Sequence, residues 1–98
     1  ASPVFKMMKI KGREACLYFD FAKNGLTANG QSLENFEMAG SDHVFHHAMA
    51  AIVHHNRVKV ACDSVPVPVA VRYAFHNWVK GDLYNAAGLP ASSFRTDR

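Results

Sequence analysis

Gly30-Gln31-Ser32 places a hydroxyl in a Gly-x-Ser turn, and Asp42 and His46 follow it. A serine, an aspartate and a histidine in that order occur in α/β-hydrolases, where the serine sits on a sharp strand-to-helix turn. Nothing around Ser32 reads as strand–turn–helix. A triad is defined by geometry, and three residues within fifteen positions do not make one. No catalytic residue is therefore expected, and the segment reads as an Asn/Gly loop. Six histidines, His43, His46, His47, His54, His55 and His76, suggest metal binding at first sight. Their spacing matches no familiar ligand pattern, and cysteines and carboxylates are not interleaved in order. On a strand, His47 and His55 share one parity and His46 and His54 the other, so the cluster splits between faces. No metal and no cofactor are expected.

Arg72 lies between Ala70 and Ala74, opposite in phase to Val71 and Tyr73. Small neighbours leave room to pack over its guanidinium. Two roles suit it: a clamp on a carboxylate of the tail, Asp82 or Asp97, or a contact with a partner domain. Trp78, Tyr84 and Phe94 are aromatics in an irregular stretch. Such rings stack on sugars in carbohydrate proteins, and more commonly pin a loop to a core or fill an interface.

Short strands must position these groups. Val4–Lys11 reads as a strand, with Phe5, Met7 and Lys9 on one side and Val4, Lys6, Met8 and Ile10 on the other, closed by a hairpin turn at Gly12. Arg13–Phe21 alternates with Ala15, Leu17, Phe19 and Phe21 inward. Residues 22–31 form a loop with Leu26 reaching the core. Leu33–Met38 is a strand and Ala39-Gly40-Ser41-Asp42 a turn. Val44–His55 tolerates a helix, but its neighbours are strands, and Met49–Val53 reads as the first arm of a hairpin with a His55-Asn56 corner. Pro66 and Pro68 confine their segment to an edge. Val69–His76 is a strong strand, and the rest is an irregular tail. The strand phase sets Cys16 outward and Cys62 inward, so a disulfide is not expected and one thiol should be buried.

The 98 residues leave room for one core. Apolar residues make up 49% and charged residues 19%, which excludes a disordered chain. The net charge is only +3, and the eleven Lys and Arg are scattered in the sequence, which argues against nucleic acid as a partner. No apolar run approaches the ~20 residues of a membrane span. The alternation and the turn spacing predict an all-β fold, an antiparallel β-sandwich of jelly-roll or immunoglobulin-like type with an irregular C-terminal tail. Residues 1–3 are expected to be an added or leftover segment, and residues 4–98 a single domain.

One stretch carries more. Residues 70–97, A-V-R-Y-A-F-H-N-W-V-K-G-D-L-Y-N-A-A-G-L-P-A-S-S-F-R-T-D, resemble the C-terminal signature of the sialate O-acetylesterase family. That signature runs close to A-V-R-Y-A-W, then L-Y-N, then G-L-P-A-S-P-F-R-T-D. Phe36-Glu-Met-Ala-Gly-Ser-Asp42 resembles the family's F-E-I-A-G-x-D. Phe75 stands where the family prefers Trp, Val79 where Pro is common, and Ser93 replaces a Pro. His46 and His47 stand where an aromatic and a Pro are common.

The resemblance implies a non-catalytic C-terminal domain of a larger carbohydrate esterase. The family removes O-acetyl groups from sialic acids and related sugars by a serine mechanism. Its catalytic domain is an SGNH-type hydrolase with its G-Q-S-N-like and His/Asp blocks upstream of the β-domain. Gly30-Gln31-Ser32 echoes the first block in letters only, since Leu33 stands where Asn is expected. The implied partners are that hydrolase domain in the same polypeptide and an acetylated sialic acid or other sugar. The larger protein would be secreted, periplasmic or lysosomal. Arg72, Tyr73, Trp78, Tyr84, Asn85 and Arg95 are the residues expected to bind substrate or contact the other domain. A carbohydrate-binding module and a purely structural interaction domain are the alternatives.

Overall fold

The computed structural model describes residues 1–76 and 80–97, and every paired strand in it is antiparallel. Among the described residues there is no helix. The described residues form ten short strands: β1 Val4–Lys11, β2 Glu14–Asp20, β3 Leu26–Thr27, β4 Phe36–Ala39, β5 His46–His47, β6 Met49–Val53, β7 Arg57–Ala61, β8 Ala70–Tyr73, β9 Tyr84–Asn85 and β10 Phe94–Arg95. They make a four-stranded sheet in the order β1-β2-β7-β6, a second in the order β10-β8-β4-β5, and a two-stranded ribbon of β3 and β9. The expected all-β sandwich is what forms.

Alternation explains the layers. In β2 and β7, Ala15, Leu17, Val58 and Val60 point inward and are fully buried. In β4 and β8, Phe36, Met38, Val71 and Tyr73 do the same from the facing sheet. Side chains on a strand alternate between faces, so each intervening residue points outward. A ring cluster closes one end of the core. Phe94 stacks on Phe5 with centroids 4.6 Å apart, meets Phe19 edge-on at 5.9 Å, and lies 5.8 Å from Tyr73. The ring of Phe94 thus helps to hold the two-residue strand β10, whose own ladder is short.

Several local expectations need correction. β1 does not alternate evenly, because the pairing Phe5↔Phe19 is followed by Met7↔Tyr18, leaving Lys6 as a bulge. The extra residue moves Met8 to the side of Phe5, and both pack against the core. Phe21 does not continue the inward set of β2. It takes φ +62° and leaves its ring 60% exposed. The β6–β7 hairpin is closed by three residues, since Val53 pairs with Arg57 and His54 and His55 both take positive φ. The strong strand expected at Val69–His76 is only Ala70–Tyr73, and it ends where Ala74 turns to φ +48°. Strand β4 begins at Phe36, with Leu33 making a single bridge to Ala50. Cys16 and Cys62 are free thiols as expected, but both are half-buried.

The chain's first residues pack on the domain. Pro3 is fully buried, and its carbonyl accepts from Ser92 N at 3.3 Å. The tail is also more ordered than its composition suggests. Asn85 is buried, and its side-chain amide makes four hydrogen bonds. It donates to the carbonyls of Ala1 (2.9 Å) and Phe21 (3.3 Å) and accepts from the amides of Ala87 (3.1 Å) and Leu89 (3.0 Å). Two donors and two lone pairs are all that an Asn amide offers.

Candidate functional site: the outer face of the second sheet

Strand pairing assembles one row of charged side chains from four strands. His47 of β5 is opposite Glu37 of β4, Glu37 is opposite Arg72 of β8, and Arg72 is opposite Arg95 of β10. Phe36, Met38, Val71 and Tyr73 take the inward positions, so this row faces outward. Like charges directly opposite on neighbouring strands are unfavourable. Asp97 resolves the Arg72–Arg95 conflict. Arg72 Nε and Nη2 donate to its two oxygens at 3.3 and 2.7 Å, and Arg95 Nε and Nη2 donate to the same two oxygens at 3.1 and 3.0 Å. One carboxylate serves two planar forks.

Aromatic rings complete this clamp. The Arg72 guanidinium lies 3.9 Å from the Phe45 centroid and 4.8 Å from that of Phe75, and Arg95 lies 4.8 Å from Phe75 as well. The negative ring faces attract the cations and hold them flat. The consequence for charge is direct. Hydrogen bonds from Arg72, then Arg95, hold the Asp97 carboxyl well below the usual carboxylate range. The hydrogen bond to Asp97 in turn raises the Arg72 guanidinium above its ordinary value.

The other half of the row is carboxylate and imidazole. Glu37 approaches His76 at 3.5 Å, and Glu34 approaches His47 at 3.4 Å. Between them lies a cleft of about 160 Å³ lined by Glu34, Asn35, Glu37, His47, Phe75 and His76. Its lining offers acids and imidazoles but no hydroxyl or thiol. No group of three or more His, Cys, Asp or Glu able to hold a metal occurs among the described residues.

Tyr73 lies behind the row, fully buried, and its hydroxyl accepts from Asp82 N at 2.9 Å and Leu83 N at 2.8 Å. Burial raises its phenol above the ordinary value, and the two amides offset part of that shift. Tyr84 is half-buried in β9, paired with Thr27. Trp78 lies outside the described residues. Arg72 and Arg95 thus share one site, while Asn85 and Tyr84 belong to the β3–β9 ribbon. Sequence reading offered both Asp82 and Asp97 to Arg72, and Asp97 takes it. Asp82 instead accepts from Glu34 N at 2.7 Å. Phe45 was missed; its spacing carried no signal, because it enters the site from the loop before β5.

Ser32, Asp42 and His46 are not brought together. Asp42 and His46 line one cleft of about 230 Å³ with Ser64 and Val65, whereas Ser32 lines another beside Met49 and Ala50. Asp42 is engaged locally, its Oδ1 accepting from Val44 N at 3.0 Å.

No protein-family model matches the chain, and no curated protein matches it. Among solved structures it is similar to a carbohydrate acetylesterase from Xanthomonas citri, with a TM-score of 0.89 and 40% sequence identity. The match covers 99% of this chain and 23% of that protein. Nearly all of this chain therefore shares its fold with less than a quarter of a larger carbohydrate acetylesterase.

Proposed function

We propose that the chain is a non-catalytic β-sandwich domain of a larger carbohydrate esterase of the sialate O-acetylesterase type. The carrying observation is 40% identity over 99% of this chain to 23% of a carbohydrate acetylesterase. In this reading the reactive serine belongs to an SGNH-type hydrolase domain of the same polypeptide. That domain attacks the acetyl ester through an acyl-enzyme and an oxyanion hole. The separation of Ser32 from Asp42 and His46 supports assigning no chemistry to this chain.

The second sheet's outer face is the surface proposed to meet the hydrolase domain. It has a rigid, already paired edge at Arg72, Asp97 and Arg95, beside a ring at Phe75 that is 38% exposed. Paired charges can be covered without leaving an uncompensated ion, which suits an interface. An acetyl-ester assay on the chain tests the reading. Hydrolysis at the buffer rate is expected. Turnover that disappears in Ser32→Ala would overturn it.

A further inference from the structure

The outer face of the first sheet bears a different pattern. Its rows read Met7–Tyr18–Arg57, Lys9–Cys16–Lys59 and Lys11–Glu14–Ala61 across β1, β2 and β7. Lys9, Lys11, Arg57 and Lys59 line a cleft of about 500 Å³ together with Glu14, Cys16 and Tyr18. Four of the chain's eleven Lys and Arg are there, against one of its eight Asp and Glu. Seven of each remain elsewhere, so the whole net charge of +3 resides on this face. Charges scattered in sequence are gathered by the strand register.

Only Lys59 meets the one carboxylate, Glu14, at 3.5 Å. No carboxylate pairs with Lys9, Lys11 or Arg57 among the described residues. Tyr18 holds two of these cations in place. Lys9 Nζ lies 5.4 Å and Arg57 Cζ 4.8 Å from its ring centroid. Neighbouring strands are about 4.8 Å apart, and alternate residues on one strand about 6.6 Å, so the four cations zigzag along the cleft at intervals of roughly 7–12 Å. A cleft lined by one sign of charge focuses the field on an anion.

We propose that this face binds an acidic oligosaccharide, an extended glycan whose sugar carboxylates meet Arg57, Lys59, Lys9 and Lys11 in turn. The choice of a sugar rests on the esterase-domain reading above; the choice of an anion rests on the cleft itself. A single-stranded nucleic acid needs exposed rings on which its bases stack. Here Tyr18 is half-buried and occupied by cations, and the small imidazole of His54 is the one other ring among the described lining residues, which is no run of stacking platforms. A polyanion without bases fits better.

The test titrates the ¹⁵N-labelled chain with tetragalacturonate, with a neutral xylotetraose, and with an oligonucleotide of matched charge. Tetragalacturonate is expected to shift amides of β1, β2 and β7, with binding that weakens as salt rises. Xylotetraose is expected to shift none. The variant Lys9→Gln/Lys59→Gln changes only outward side chains, and its affinity is expected to fall at least tenfold with the spectrum otherwise retained. Equal binding of the neutral sugar, shifts confined to other strands, or tighter binding of the oligonucleotide would each overturn the proposal. Silence with all three ligands does so as well. The esterase assay separates the two readings. Turnover by the chain with uronate binding intact sinks the domain reading alone, and no binding without turnover sinks the site alone.

Discussion

The hydroxyl of Tyr73 occupies the space beside Gly81, where an added Cβ would stand only 2.8 Å from it. That hydroxyl also receives the amides of Asp82 and Leu83. Gly81 is thus the residue that lets the chain cross over the buried end of β8.

This contact predicts a coupled pair of substitutions. Gly81→Ala is expected to destabilise the fold by steric conflict. Tyr73→Phe is expected to cost about 1–3 kcal/mol, because two amides lose their acceptor. Combined, they should cost less than the sum, since removal of the hydroxyl leaves the added Cβ at an ordinary 3.6 Å from the ring. A double-mutant cycle from urea midpoints measures this, and strict additivity would refute the contact.

Acid should loosen the Arg72–Asp97–Arg95 clamp. Asp97 titrates well below the usual range when folded. The stability it contributes is fully present above the unfolded carboxylate pKa of about 4, and is lost as pH falls from there through its depressed value. Asp97→Asn lacks this titration. Between pH 5 and 2 the wild-type advantage over Asp97→Asn should therefore shrink, which urea unfolding at each pH reports. Arg72→Lys should cost on the order of 1 kcal/mol at neutral pH, because an ammonium cannot fork or stack between Phe45 and Phe75.

Phe94 links the tail to the core through Phe5, Phe19, Phe36 and Tyr73. Phe94→Ala is expected to cost about 3 kcal/mol, the lower end for a core phenylalanine because the ring is only half-buried. Phe94→Leu should recover part of that. Hydrogen exchange is expected to show the loss first at β10 and then at the start of β1. Uniform loss over β6 and β7 would contradict this assignment.

Asn85→Ala should cost about 1–2 kcal/mol, because two amides and two carbonyls lose their partner together. Asn85→Asp keeps the acceptors and loses the donors, so it should loosen residues 1–3 more than the 86–89 turn. Amide exchange of Ala87 and Leu89, compared between the two variants, distinguishes these outcomes.

The residue pattern alone determined the strand β1 at Val4–Lys11, the arm Met49–Val53 and the inward positions of Ala15 and Leu17. Period-two alternation is a local property, so it is written in the chain. The resemblance of residues 70–97 to a family signature was equally legible and pointed to a carbohydrate esterase. Tertiary structure decided the rest. Whether Arg72 took Asp82 or Asp97 depended on where the tail returned, which no spacing encodes. The Lys6 bulge and the exposed turn of Phe21 arise from pairing with β2 and from the end of that ladder. The cationic cleft is the clearest case. Lys9, Lys11, Arg57 and Lys59 lie in two separate segments and look dispersed in sequence. Antiparallel register, a non-local property, placed them on one face beside Tyr18.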